Sequence, residues 1–129
     1  LDTDLEIPDT GDTLQDLLEL TATFRERAAT AVMFPVMSQI IGTALTNPGV
    51  LAAFREQIIQ PRQAVVRQII ERGIARGDVR PDADPAVIAD LIPGAIIFHK
   101  LFLLPTEAEL PADYPGRVLA ALWEGIKAR

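Results

Sequence analysis

The only histidine in the chain is His99, and there is no cysteine. Structural zinc takes four cysteine or histidine ligands, and a serine triad needs a histidine oriented by an acid. A lone histidine without thiols supports neither a histidine-based metal centre nor a thiolate site, so no metal and no cofactor are expected. Glu107 and Glu109 form a close carboxylate pair, but they sit in a loop with no histidine or nucleophile nearby. The chain therefore does not read as an enzyme. His99 itself lies on a strongly apolar stretch. Its imidazole could hydrogen-bond a ligand or report pH. The competing role is a histidine satisfied by a carbonyl or at a subunit boundary.

That stretch, Leu91 to Leu104 (LIPGAIIFHKLFLL), organises the rest of the chain. Asp84-Pro85 before it is a cap and first-turn pair, which predicts a helix from about Pro85 to Leu104. An ordinary surface helix is apolar along one stripe. Here Ile92, Ile96, His99 and Leu103 line one side, Leu91, Ala95, Phe98 and Phe102 a second, and Gly94 and Leu101 a third. Such a helix needs cover on more than one side. The chain's own domain supplies one cover, and a second copy is expected to supply the other. A membrane span needs roughly 20 largely apolar residues. The uninterrupted run is Leu91 to Phe98, bounded by Asp90 and Lys100, so no membrane partner is expected.

With 129 residues, 49% of them hydrophobic, the chain suits one domain with a real core. No signal-peptide pattern opens it, and a cytoplasmic location is expected. It begins at Leu1, which reads as a fragment of a longer protein. Net charge is −6, whereas nucleic-acid-binding domains usually carry a basic patch. The charge is uneven. Residues 1–24 hold seven acids and no base, and residues 25–80 hold eight arginines. Those arginines read as a solvated helix face with ion pairs, such as Arg67 with Glu71 at i,i+4.

Residues 1–12 read as a linker or arm, and residues 13–129 as one helical domain. Thr13 followed by Asp16 resembles a capping box. It starts a helix over about Leu14 to Thr30 with Leu14, Leu17, Leu18, Thr21, Phe24 and Ala28 inward. Val36, Met37, Ile40, Ile41, Ala44 and Leu45 repeat at helical spacing in the next unit, Val32 to Asn47. Asn47-Pro48 starts a third helix to about Arg76, with Leu51, Phe54, Ile58, Val65, Ile69 and Ile74 as its stripe. Pro61 should kink or split it, and Gly77 should stop it. Pro93 and Gly94 are expected to interrupt the fourth helix. A last helix spans about Pro115 to Ala128. The fold class is all-α, with about five helices.

Glu71 to Phe102, ERGIARGDVRPDADPAVIADLIPGAIIFHKLF, resembles the C-terminal regulatory domain of the tetracycline-repressor (TetR) family of bacterial transcription factors. The carriers are the Ala-Arg-Gly-Asp-Val-Arg-Pro-Asp turn, the Asp-Pro start and the aliphatic helix after it. Asp9-Thr10-Gly11 is similar to the family's entry into this domain. So is Asn47 to Ile70, with Arg55 and Pro61-Arg62. The family's helix-turn-helix precedes this region, and nothing in residues 1–129 matches it. DNA would therefore be reached only through a separate N-terminal domain. Pro93-Gly94 also departs from the family, where the glycine often comes first.

The resemblance implies a pocket between the helices, a homodimer through helices four and five as a four-helix bundle, and an effector that shifts the dimer geometry. Phe24, Met33, Met37, Ile41, Phe54, Ile58, Val65, His99 and Phe102 are the candidate pocket residues, since aromatic and methionine side chains suit an adaptable apolar cavity. Leu91, Gly94, Phe98, Leu101, Leu119 and Trp123 are the candidate interface residues. Few charges lie on the inner faces, so the expected effector is small, mostly apolar, and uncharged or singly charged. The alternative is a constitutive dimerisation module with a filled core and no ligand.

Overall fold

The computed structural model describes residues 6–28, 33–105 and 108–129 and, outside 27–37, their side chains. The described residues form five helices. They are α1 (Thr13–Ala28), α2 (Met33–Ala44), α3 (Pro48–Phe54, Arg55–Ile59 and Gln60–Arg76 in succession), α4 (Pro85–Phe98, ending in a π-type turn, His99–Leu103) and α5 (Tyr114–Ile126). The expected all-α architecture holds.

Local chemistry sets most boundaries. The Asn47 carboxamide oxygen accepts from the amides of Gly49 and Val50, and the Asp84 carboxylate from those of Ala86 and Val87. Each satisfies donors that the first helical turn leaves orphaned. Gly77 ends α3 at φ 92°, a left-handed conformation open to glycine. Its amide reaches Ile74 O and the Asp78 amide reaches Gly73 O, which is the Schellman arrangement.

Two proline expectations change. Pro61 does not split α3. The chain widens into a π-type turn just before it, and the Gln60 amide bonds Arg55 O, five residues back. The wider turn takes up the strain of a residue that lacks an N–H and crowds the carbonyl four residues earlier. Pro93 does not interrupt α4, which runs α-helical through it from Pro85 to Phe98.

The core is Leu17 and Leu20 of α1, Val66, Ile69 and Ile70 of α3, Val79 of the turn after α3, Ile88, Ala89 and Ile92 of α4, and Leu119 and Ile126 of α5. α1 thus points Leu17 and Leu20 inward, on the same stripe as Thr13 and Asp16, which are themselves buried. Leu14, Leu18 and Phe24 pack around its edge. Ala28 lies outside the described side chains. Leu51 of the expected α3 stripe is exposed.

Polar contacts at one end tie the elements together. The cap of α1 is Asp12, whose carboxylate accepts from the Gln15 amide. Thr13 instead donates its amide and hydroxyl to Asp78 Oδ2, 3.2 and 3.0 Å away. Arg76 donates to the same carboxylate oxygen and to the Thr13 hydroxyl. Asp16 accepts the Thr10 amide and hydroxyl, rather than closing a capping box with Thr13. Gly73 lets Thr13 sit against α3. A Cβ there would lie 2.4 Å from Thr13 Oγ1 and 2.7 Å from Val79 Cγ2. The chain's end joins the same turn, with Arg80 N donating to Ile126 O and Ala128 N to Asp78 O.

Candidate functional site

The candidate pocket residues divide into three groups. Phe24 and Val65 pack on the edge of the core. The Arg62 guanidinium lies over the Phe24 ring, 4.9 Å from its centroid, a cation–π geometry. Ile41, Phe54 and Ile58 belong to a separate lobe, where α2 packs on the first part of α3. In that lobe no residue of Pro48–Ile59 is buried. Of the described α2 side chains only Ala44 is buried. The side chains of Met33 and Met37 lie outside the described residues.

His99 and Phe102 stand apart from both groups. The His99 ring stacks on Tyr114, with centroids 4.4 Å apart and planes 13° apart, and so joins the end of α4 to the start of α5. Tyr114 was not among the sequence candidates. Phe102 is a correction: it is 73% exposed and its ring lies tilted against that of Phe98, with centroids 5.5 Å and planes 34° apart, on the outer face of α4. It cannot line an internal pocket of this subunit.

Two open clefts mark the surface. One of about 340 Å³ is lined by Gly11, Asp12, Gly77, Asp78, Trp123, Lys127 and Ala128, beside the polar tie. One of about 160 Å³ lies between α1 and the start of α5, where Arg25 bonds Ala112 O. Neither is lined by any of the nine pocket candidates.

The interface candidates fare differently from one another. Leu91 and Phe98 are exposed large hydrophobics on α4, together with Val87, Phe102 and Leu103. Gly94 lies exposed between them. Leu101 is half-buried, and Trp123 packs partly against the core. Leu119 is a correction. At 1% exposure it is a core residue whose side chain has no surface to offer a partner.

By length and composition alone, Pro85–Leu103 is apolar enough to cross a membrane, at 19 residues and mean hydropathy 1.8. That goes beyond what the uninterrupted run suggested. Its inner residues, Ile88, Ala89 and Ile92, are nonetheless buried in the core with α1 and α3.

Among the described residues, the Asp78 carboxyl stands out at the end of α3. Its partial burial acts to raise its pKa, but hydrogen bonds from Arg76 and Thr13 and the Arg76 charge outweigh that and hold it below the usual carboxylate value. Among the described residues no cluster of three or more potential metal ligands occurs. Asp78, Thr13 and Arg76 bond one another, and the arrangement is that of a structural tie.

Comparison with known proteins agrees with the helical architecture. The family described as "Tetracyclin repressor-like, C-terminal domain" matches residues 7–122. The uncharacterised HTH-type transcriptional regulator YdeS of Bacillus subtilis (strain 168) is 30% identical over 124 residues, covering 96% of this chain and 61% of that protein. The crystal structure of TetR family transcription regulator SCO0332 superposes with a TM-score of 0.78 at 27% identity, over 92% of this chain and 64% of that one. The chain thus spans under two thirds of either relative. Both relatives are transcriptional regulators, not enzymes. On the match across residues 7–122, this chain belongs to the tetracycline-repressor-like family, as a C-terminal domain of that type.

Proposed function

We propose that residues 13–129 are the effector-sensing and dimerisation domain of a cytoplasmic TetR-like regulator, with residues 1–12 as the arm from a DNA-binding domain. The observation that carries this reading is the uneven use of apolar side chains. One end of the bundle is filled to a core, while α2, the first part of α3 and the outer face of α4 keep large apolar groups half-covered or exposed. Val87, Leu91, Phe98, Phe102 and Leu103 leave roughly 500 Å² of apolar side chain uncovered at ordinary side-chain areas. A standard interface takes about 800 Å² per partner. We take the outer side of α5, where Ala121 and Gly125 are exposed and Val118 is half-buried, as the source of the rest. The stripe carries no charge, so two copies can meet on it without like-charge contact, and Gly94 at its middle lets two helices come close.

The loosely packed lobe of Ile41, Phe54 and Ile58, with Phe24 and Val65 at its edge, is the proposed effector site. A small apolar ligand there would shift the dimer between two geometries and release DNA, through different affinities for the two states. The second reading, a constitutive dimerisation module, is favoured by one fact: the clefts of 340 and 160 Å³ lie elsewhere. A thermal-shift screen separates the two. A ligand at 100 times its dissociation constant adds about 2.7 kcal/mol if it binds only the folded state. Stabilisation by uncharged or singly charged apolar compounds, lost on enlarging Ile58 to Trp, supports sensing. No hits, or hits only among polyanions, sinks the effector site.

A further inference from the structure

We infer that the effector of the loosely packed lobe is an amphipathic monoanion, an apolar tail ending in one carboxylate, and that Arg62 is the residue that selects it. The inference rests on the effector reading above and names the chemical class that the same site would take.

A charge on an inner stripe is the observation that carries it. Along α3, Arg62, Val65 and Ile69 fall within about 60° of one another at about 100° per residue. Ile69 is buried, and Val65 packs against the core. Arg62 is therefore turned towards the subunit's interior, and it is half-buried. Most other ionisable residues of the helix point away: Arg55, Glu56, Arg67, Glu71 and Arg76 are exposed. Arg72 is half-buried too, but it serves the chain's own structure, donating to Pro8 O at 2.8 Å and pairing with Asp9 at 3.4 Å.

Arg62 stands where the filled core gives way to the lobe. Val66 and Ile69 lie on the filled side, and Ile58, one turn before Arg62, on the loose side. The guanidinium carbon is 4.9 Å from the centroid of the Phe24 ring. A guanidinium meets a ring through its flat face, while its five N–H groups lie in its own plane. The ring contact thus steadies the cation without using its donors. The same plane matches a carboxylate, which accepts two parallel hydrogen bonds from it.

The lobe's own surfaces supply little other charge. Met33–Ala44 has no ionisable residue. Pro48–Ile59 has only Arg55 and Glu56, both exposed. Asp90 of α4 is exposed and accepts Gln63 Nε2 at 2.9 Å. An anion buried among Ile41, Phe54 and Ile58 would need a partner of opposite charge, and Arg62 at the lobe's edge supplies it. A neutral ligand of the same shape gains no charge-assisted bond there. From Arg62 back to Phe54 the helix rises roughly 12 Å at about 1.5 Å per residue. That is the reach of a medium-length saturated chain such as that of decanoate.

Isothermal titration calorimetry of the full chain with decanoate, and with decanamide as its neutral isostere, tests the point. Decanoate should bind about tenfold tighter than decanamide, since hydrogen bonds to charged groups are the stronger ones. Arg62→Gln should remove about that same factor for decanoate and leave decanamide unchanged, with circular dichroism melts checking the fold. Ile58→Trp, which fills the tail's place, should abolish both. If decanamide binds wild type as tightly as decanoate, a comparison that needs no variant, the inference is overturned and the effector site stands. The same holds if a folded Arg62→Gln keeps the preference for decanoate. If neither ligand binds, or both bind Ile58→Trp undiminished, the effector site fails and the inference with it.

Discussion

Gly73→Ala should destabilise the protein, although alanine is the better helix former. Gly73 sits inside α3, where propensity alone favours alanine by about 0.8–1 kcal/mol. The added methyl, however, would lie 2.4 Å from Thr13 Oγ1, 2.7 Å from Val79 Cγ2 and 3.0 Å from Thr13 Cγ2. Thr13 and Val79 are both buried, so neither can swing into solvent. Overpacking of this kind costs about 1–3 kcal/mol. Moving Thr13 also strains its two bonds to Asp78, and bonds to a charged group are worth about 1.5–3 kcal/mol each. The net loss is about 2 kcal/mol, or roughly 8 °C in Tm at about 4 °C per kcal/mol for a chain of this size. Urea and thermal unfolding at fixed protein concentration measure it, since any dimer makes Tm concentration-dependent. Gly116→Ala is the control, because a Cβ there meets nothing within 4 Å. Thr13→Ala removes two of the three clashing atoms, so the double variant should lose less than the sum of the singles. Equal stability of Gly73→Ala and Gly116→Ala would refute the reasoning.

Asp78→Asn should cost about 1–3 kcal/mol at neutral pH, because the Arg76 and Thr13 donors lose their charged acceptor. The native carboxyl is depressed, so its contribution is present above the ordinary Asp value of about 3.9 and is lost as pH falls from there through the lower native value. The gap between wild type and Asp78→Asn in unfolding free energy should therefore close only below about pH 4; a gap that closes near pH 6 contradicts the assignment. Residues 1–129 alone should not bind duplex DNA, given the net charge of −6 and the reliance of such affinity on phosphate neutralisation. A salt-sensitive mobility shift would count against that.

What the sequence disclosed, and what it did not, follows from the range of the interactions involved. Asn47, Asp84 and Gly77 were legible because a cap acts within three residues of itself. Thr13 and Asp16 were not, because what makes their burial tolerable is remote or irregular. Asp78 lies 65 positions away from Thr13, and Thr10 reaches Asp16 from outside the helix. Their polarity on the core side drew the apparent apolar face of α1 towards Leu14 and Leu18 and away from Leu20. The π-type turns were equally hidden. One extra residue in a turn alters phase without altering composition. Phe102 read as a pocket residue because an aromatic side chain suits an apolar cavity, although its spacing already set it on the side of Leu91 and Phe98. Leu119 misled in the opposite sense, since periodicity places a residue on a face but does not say what covers that face.

The fourth helix shows how far that distinction reaches. Ile88, Ala89, Ile92 and Ile96 meet the subunit's own core, while Val87, Leu91, Phe98 and Phe102 face outward. A helix with one core to satisfy keeps a polar side, and its period reports the direction of burial. One with two apolar faces has almost no polar side to report from. Its period is therefore weakest where its burial requirement is greatest, and only the composition of Leu91 to Leu104 betrays it. Hydrophobicity in excess of what the subunit can cover is the physical signal of a missing partner. Here most of the exposed large apolar side chains lie along one side of one helix, with a glycine at its middle and no charge along it. Such a stripe suits the second copy proposed above better than lipid on all sides.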